Sequence, residues 1–316
     1  MTAVAASAKS DNQTGGTTLD KADLENFPVA PAFLPAAWRT DLMAVYGFAR
    51  LVDDAGDGDL ADPGQVAALL DVPADDGDTP GGTTAFRLAL LDGLERDLDR
   101  VFEAALGRGG EPPRHPLMRA LVPLVERHPV TPEPFRRLIE ANRVDQTATR
   151  YATYQDLIGY CTLSADPVGR LVLAVAGVAT PERIVLSDAI CSGLQIVEHL
   201  QDVAEDLGRG RIYLPADSRE RFGVTEADLA EPTAGPRVRE LVAFEAERAR
   251  TLLDRGAPLV GTVHGRLRLL LAGFTAGGYA ALAAVEAAGY DVLAHQPKPD
   301  KRRLALRAAA LFAKGR

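Results

Sequence analysis

The sequence predicts an all-α protein, a single-domain helical bundle. Apolar residues recur at i, i+3, i+4 and i+7 along several segments, the spacing that gives a helix one buried face. No stretch sustains the period-2 alternation of β-branched residues that a strand needs. The composition, with 47% apolar and 25% charged residues in 316, is that of an ordinary globular chain with ample material for a large core.

Helices are expected over residues 36–56, 84–107, 115–127, 132–147, 154–162, 166–176, 181–206, 225–229, 236–254, 258–287 and 301–313. Pro132, Pro134 and Pro181 fall near helix starts, where a missing N–H costs nothing. Thr131 and Thr180 are placed to cap two of them. The longest uncharged run, Leu269–Val285, falls short of the roughly 20 apolar residues that span a bilayer. Its three glycines and many alanines suit a buried helix in close contact with neighbours.

Three segments read differently. Residues 1–24 lack a basic start followed by an apolar run, so no secretion signal is expected. Their Ser, Thr, Gly and Asp content reads as a disordered tail before a globular region over 25–297. Between Val52 and Gly82 stand nine acidic residues and no Lys or Arg, with Pro63, Pro73 and Pro80. Residues 58–84 are therefore expected to form a mobile acidic loop, either merely solvated or a lid over a site. Residues 298–316 carry seven basic residues and one acidic. With Leu304, Leu306, Ala310, Leu311 and Phe312 on a helix, this tail reads as a solvated helix or as a surface for anionic lipid.

The net charge of −9 argues against a nucleic-acid partner. Cys161 and Cys191 form no C-x-x-C and no Cys/His metal spacing, which suits buried thiols in a reducing cytosol. His115, His128, His264 and His295 are scattered and are expected at the surface or at helix caps.

Two acidic clusters carry the chemistry. In Tyr46-Gly-Phe-Ala-Arg50-Leu-Val-Asp53-Asp54-Ala-Gly-Asp57, Asp53 and Asp57 share a helix face with Arg50 one turn earlier. In the second cluster, Glu198, Asp202 and Asp206 stand at i, i+4 and i+8. Side chains at that spacing lie about 5–6 Å apart and repel unless a cation sits among them. Gly208 and Gly210 then end the helix, leaving Arg209, Arg211 and Tyr213 on a short connector. A guanidinium there can grip phosphate in a fork. Carboxylate pairs with nearby arginine suit Mg²⁺ carrying a diphosphate, with Mn²⁺ as the alternative ion. An aliphatic helical interior would shelter a carbocation once the diphosphate leaves.

Three segments, YGFARLVDDAGD (46–57), RYATYQDLIGYCTLSADPVGRLVL (150–173) and LQDVAEDLGRGRIYLP (200–215), resemble the squalene/phytoene synthase family of head-to-head prenyl synthases. The resemblance runs from about Glu25 to at least Glu286. ENFPVAPAFLPAAWR (25–39) is further similar to the hydroxysqualene synthases of bacterial hopanoid pathways. The resemblance implies the isoprenoid (terpenoid) synthase fold with a central cavity. Asp53, Asp54 and Asp57 match the first metal motif, and Asp202 and Asp206 the second. The implied metal ligands are Asp53, Asp57, Asp202 and Asp206, with Glu198 either adding a carboxylate or bonding a neighbour. Arg50 and Arg211 match arginines expected near diphosphate. Tyr160 and Gln201 match cavity-facing positions, Tyr46 and Phe48 are expected to line the cavity, and Tyr213 lies on the substrate side of the connector. Gly169 is expected at a close-packing position. Two departures stand out: Gly56 and Gly58 flank Asp57, and Glu198-His199 replaces a common Asn-Phe pair.

The activity so implied is ionisation of presqualene diphosphate and quenching by water, giving hydroxysqualene and diphosphate. The alternatives are condensation of two farnesyl diphosphates to presqualene diphosphate or squalene, and phytoene synthesis. NADPH is not expected, since no G-x-G-x-x-G follows a strand. From another class, the chain could be a non-catalytic helical assembly subunit. The expected partners are a prenyl diphosphate and neighbouring squalene-pathway enzymes. The expected location is cytoplasmic, with peripheral contact at the inner face of the membrane through the basic C-terminus as the alternative.

Overall fold

A computed structural model describes residues 29–75 and 81–314, together with Leu19. The expected disordered tail over 1–24 lies outside the described residues apart from Leu19. Among the described residues there is no strand, only an isolated bridge between Arg150 and Ile212.

Sixteen helices can be named among these residues. They are α1 (Ala36–Asp57), α2 (Pro63–Leu69), α3 (Thr84–Ala105), α4 (Pro116–Arg119), α5 (Val122–Arg127), α6 (Pro132–Val144), α7 (Tyr154–Ser164) and α8 (Asp166–Val175). Then follow α9 (Pro181–Gln201), α10 (Val203–Gly208), α11 (Ala216–Phe222), α12 (Glu226–Leu229), α13 (Pro236–Gly256), α14 (Leu259–Thr262), α15 (Gly265–Ala287) and α16 (Lys301–Lys314). Thr180 caps α9 through Arg183 N–H, whereas Thr131 stands at the N-cap of α6 without a side-chain capping bond. Three expected helices break, that over 115–127 at Ala120–Leu121 between α4 and α5. Asp202 departs from helical dihedrals and separates α9 from α10, and Gly265, at φ +61°, marks the start of α15.

The chain divides into two compact units. The first takes residues up to Thr147 and adds Leu171–Gly177. Its core is built where α1, α3 and α6 pack together. Phe48 sits edge-on to Phe135 with ring centroids 5.1 Å apart, and Phe102 meets the same Phe135 at 6.0 Å. Leu51, Leu90, Leu94, Leu98, Leu124 and Ile139 close around them, each fully buried. Each such side chain contributes about 1.5–3 kcal/mol through burial.

The acidic excursion belongs to this unit and contains a helix, α2, that its composition did not announce. Asp62 caps α2 by accepting from Gln65 N–H at 2.9 Å, and Val66, Leu70 and Val72 are buried beneath it. Its feet meet backbone to backbone at Gly58 and Gly81, both with positive φ, where a Cβ on either would overlap the other chain segment. Asp75 ties the return to Thr83 through both the backbone N–H and the hydroxyl. Residues 76–80 lie outside the described residues.

The second unit comprises residues 148–170 and 178 onward. Here α9 and α13 pack closely, and the sequence makes that possible with glycine. A Cβ at Gly256 would meet the Leu186 carbonyl oxygen at 2.7 Å. Gly278 on α15 admits Leu194 and Leu253 in the same way. Gly169 is the close-packing position expected: a Cβ there would meet Ser187 Oγ at 2.3 Å and Cys191 Sγ at 2.5 Å. Both cysteines are free, and burial pushes each thiol up to about 12. Helix α15 is long and apolar enough to cross a membrane, yet 67% of its apolar window is buried in the protein, as a core helix would be.

The C-terminal helix α16 corrects one expectation. Its apolar residues do not form a single outward stripe. Leu304, Leu311 and Phe312 are half-buried on the side against α15, while Leu306 and Ala310 are exposed. Two cation–π contacts hold the pair: Arg307 lies 4.2 Å from the Tyr279 ring centroid and Arg268 lies 5.0 Å from that of Phe312.

Candidate active site

The first motif occupies the last turn of α1. Helix α1 runs unbroken through Asp57, so Gly56 is interior and Gly58, at φ +77°, is the left-handed cap. Asp53, Asp54 and Asp57 thus sit at the negative end of the helix dipole, with no basic residue in the last turn. Asp54 is buried and pairs with Arg50 at 3.0 Å. Asp53 retains accessible surface, but crowding by protein desolvates it. That desolvation comes first in raising its carboxyl from 3.8 to about 6; Asp57 and Asp54 push the same way, against Asn142 and Arg50.

Asn142 is the residue that the sequence reading passed over. It lies buried on α6 and donates from Nδ2 to Asp53 Oδ1 at 2.9 Å. Gln146, one turn later, donates to the Gly56 carbonyl at 2.8 Å. The only sequence signal was their i, i+4 spacing, and a solvated face explains that equally well. Gly56 now has a physical role: a Cβ there would meet Asn142 Oδ1 at 2.3 Å. Gly56→Ala should gain about 1 kcal/mol of helix propensity and lose about 1–3 kcal/mol to overpacking. Stability should fall by up to about 2 kcal/mol, while displacement of Asn142 from Asp53 lowers turnover roughly tenfold. Full turnover in that variant would show that Asn142 does not hold a functional Asp53.

The second motif straddles the α9–α10 break. Backbone bonds from Asp202 N–H to Glu198 C=O (3.0 Å) and from Asp206 N–H to Asp202 C=O (2.8 Å) keep the helical spacing through it. Glu198 is exposed, whereas Asp202 and Asp206 are half-buried. Desolvation is the largest influence on Asp202 and raises its carboxyl, with Asp206 and Glu205 adding to it. One oxygen of Asp206, Oδ2, is buried without a hydrogen-bond partner. A buried orphan carboxylate oxygen is costly unless something positive meets it.

A C-terminal strap reaches this motif. The Gln296 side-chain amide donates to Asp202, and the Gln201 amide donates to the Pro297 carbonyl, so two neighbouring residues clasp two others. Gln201, expected to face the cavity, therefore spends its donor on the strap.

Beside the motif lies an aromatic cluster. Tyr151, Tyr160 and Tyr213 are all buried, with ring centroids 5.4–5.6 Å apart. His199 stacks on Tyr213 at 3.7 Å and 10° between planes. The connector is pinned where Ile212 N–H bonds Thr149 C=O and Ala216 N–H bonds Tyr151 C=O. Arg150 secures it further, bonding Glu226 with two nitrogens at 2.8 Å and the Gly210 carbonyl at 2.6 Å. Arg211 is half-buried just after Gly210, which takes φ +77°.

The expected site residues thus separate. Asp53, Asp54, Asp57 and Arg50 are gathered in the first unit with half-buried Tyr46. Asp202, Asp206, Tyr160 and Tyr213 are gathered in the second. Phe48 is corrected: with no exposed surface it packs the core against Phe135 instead of facing a ligand. Among the described residues, no three His, Cys, Asp or Glu side chains converge as a preorganised metal cluster. Each set still fits a hard divalent cation: the first offers carboxylate oxygen at the end of α1 with a desolvated Asp53, the second the carboxylates of Asp202 and Asp206, the latter with Oδ2 buried without a hydrogen bond.

A squalene/phytoene synthase family model matches residues 21–307. The chain belongs to the squalene/phytoene synthase family. A hydroxysqualene synthase of Rhodopseudomonas palustris is 35% identical over 240 residues, 76% of this chain and 71% of that protein. A phytoene synthase of Arthrospira platensis is 32% identical over 257 residues, 77% and 74% of the two chains. Among solved structures, squalene synthase HpnC from Alicyclobacillus acidocaldarius is similar with a TM-score of 0.71 at 38% identity, covering 89% of this chain and 95% of that one. A dehydrosqualene synthase solved with a ligand has a TM-score of 0.74 at 22% identity, over 97% and 98% of the chains, and supports the fold. As a family member, the chain has the terpenoid-synthase type of all-α fold and is an enzyme of divalent-metal-dependent, head-to-head prenyl diphosphate processing.

Of the four histidines expected at surfaces or caps, His264 and His295 are exposed and the other two are not. His115 is wholly buried and caps α4 by accepting from Leu117 N–H through Nδ1. His128 Nε2 meets buried Asp41 at 2.8 Å.

Proposed function

We propose that this family member ionises presqualene diphosphate and lets water capture the cation, releasing hydroxysqualene and diphosphate. The observation that carries the reading is the buried Tyr151–Tyr160–Tyr213 cluster, joined to the second aspartate motif by the stack of His199 on Tyr213. A developing carbocation is stabilised by aromatic faces and sheltered by an apolar wall, and the diphosphate it leaves behind needs positive charge close by. Asp53 and Asp57 in the first unit, and Asp202 and Asp206 in the second, are each a pair that would hold a divalent cation, Mg²⁺ or Mn²⁺. When bound, it neutralises the leaving diphosphate. Arg211, at the end of the second motif, suits the same negative charge. The clasp of Gln296 and Pro297 orients the motif, and the pinned connector keeps Tyr213 in place. The kinship with hydroxysqualene synthases supports water as the quencher, and this reaction requires no reductant. Condensation of farnesyl diphosphate and phytoene synthesis are the second reading, supported by the phytoene synthases among the relatives. The outward side of α16, with Arg302, Arg303 and exposed Leu306, is the part of the second unit that suits an anionic membrane surface.

Purified protein with Mg²⁺ and presqualene diphosphate is expected to yield hydroxysqualene, with its oxygen taken from labelled water. Presqualene diphosphate left untouched, or accumulated from farnesyl diphosphate alone, would reject the first reading in favour of the second.

A further inference from the structure

His199 is fixed more tightly than a filler side chain requires. Its ring lies flat on Tyr213, 3.7 Å away and 10° off parallel, with Tyr160 on another side at 6.2 Å. The Gln195 amide, one turn earlier on α9, donates to Nε2 at 3.2 Å. With Nε2 an acceptor, the ring proton sits on Nδ1. Nδ1 faces Asp206 Oδ2 at 3.8 Å, the same oxygen that is buried without a hydrogen bond. At that distance the contact is aimed but not closed. A slide of about 1 Å within the stack would close it. Stacking opposes tilting of the ring far more than it opposes such a slide.

We propose that His199 is a positioning residue for Asp206. Held by Tyr213 and Gln195, it presents Nδ1–H to Oδ2, so that Asp206 offers its remaining lone pairs to a divalent cation in one orientation. This is the arrangement in which an outer-shell donor fixes a metal-binding carboxylate, and its loss typically costs 10–100-fold in metal affinity. The inference rests on the proposed cation-dependent reading and adds a residue to it.

The test is direct Mn²⁺ binding, by titration calorimetry and by the Mn²⁺ spin-resonance signal, in the presence of inorganic diphosphate and without turnover. His199→Phe keeps a ring for the stack and removes the donor; it should weaken Mn²⁺ binding about 10–100-fold with an unchanged thermal midpoint. His199→Asn loses the ring and keeps a donor near the Nδ1 position; it should recover most of the affinity. Should His199→Phe not fold, Gln195→Met, which frees the tautomer, should weaken binding in the same direction but less. Wild-type affinity in His199→Phe, or equal losses in the Phe and Asn variants, would overturn the positioning role while leaving the cation-dependent reading intact. Absence of Mn²⁺ binding by the wild-type chain would overturn both.

Discussion

Asp53→Asn and Asp202→Asn should each reduce turnover by more than about 100-fold, beyond the range that loss of an outer-shell partner produces, while the fold survives. The physical reason lies in where these carboxylates sit. Asp53 sits at the C-terminal end of α1, where the backbone dipole opposes negative charge, and Asp202 stands at the α9–α10 break; desolvation and neighbouring carboxylates oppose ionisation of both. The fold therefore gains nothing from ionising them unless a cation is present. Asp53 shows the sign. Its carboxyl is raised from 3.8 to about 6, chiefly by desolvation, so the stability it contributes is fully present below about pH 3.8 and is lost as pH rises through about 6. Asparagine carries no charge and can still accept from Asn142, so Asp53→Asn should not lower the thermal midpoint at pH 7. Mg²⁺ should raise the wild-type midpoint more at pH 7.5 than at pH 5.5, because protons compete for Asp53 at the lower value. A variant that keeps wild-type turnover would remove that aspartate from the reaction. An equal Mg²⁺ effect at the two pH values would remove Asp53 from the cation's shell.

The helices were legible because their apolar period is strong. Helix starts at Pro132 and Pro181 and the fold class follow from local chemistry alone. What escaped was short or conditional. Helix α2 is seven residues inside an acidic, proline-bearing stretch, and only Asp62 as cap and Val66 as buried anchor mark it. Helix α11 likewise is seven residues long and polar, with Ser218 its one buried residue. The break at Asp202 leaves the i, i+4 spacing intact, so no periodicity could reveal it. In the site, the aspartates announced themselves by spacing, but their partners did not. Asn142 lies 89 positions from Asp53, and Gln296 lies 94 from Asp202. Neither belongs to a local pattern, since tertiary packing alone brings them together. Phe48 failed for the opposite reason: its position in the motif pointed to the cavity, whereas its own hydrophobicity, given Phe135 opposite, took it into the core.

Asp97→Ala should be among the most destabilising single changes in the first unit, at about 3–5 kcal/mol. Asp97 has no exposed surface. On α3 it accepts backbone N–H bonds from Arg114 at 2.8 Å and from His115 at 2.9 Å, and it pairs with Arg100 at 3.2 Å. One carboxylate thus fastens the segment leading into α4, where His115 is itself buried and caps the helix. Alanine would leave the buried His115 N–H and the part-buried Arg114 N–H without their acceptor at once, and Arg100 with Glu111 alone. Asparagine keeps one acceptor oxygen but turns an amide N–H₂ toward donors, so about 1–3 kcal/mol is expected there. Arg114 also meets Asp71 at the surface, and Asp71→Ala should change little, because exposed ion pairs are screened. Urea unfolding followed at constant m-value would order the three variants as Asp97→Ala, Asp97→Asn, Asp71→Ala. That order matters because total domain stability is commonly only about 5–15 kcal/mol, so the alanine variant should approach the limit of folding. If Asp97→Ala lost less than about 1 kcal/mol, water would be replacing the carboxylate, and the segment before α4 would be held by its apolar contacts instead.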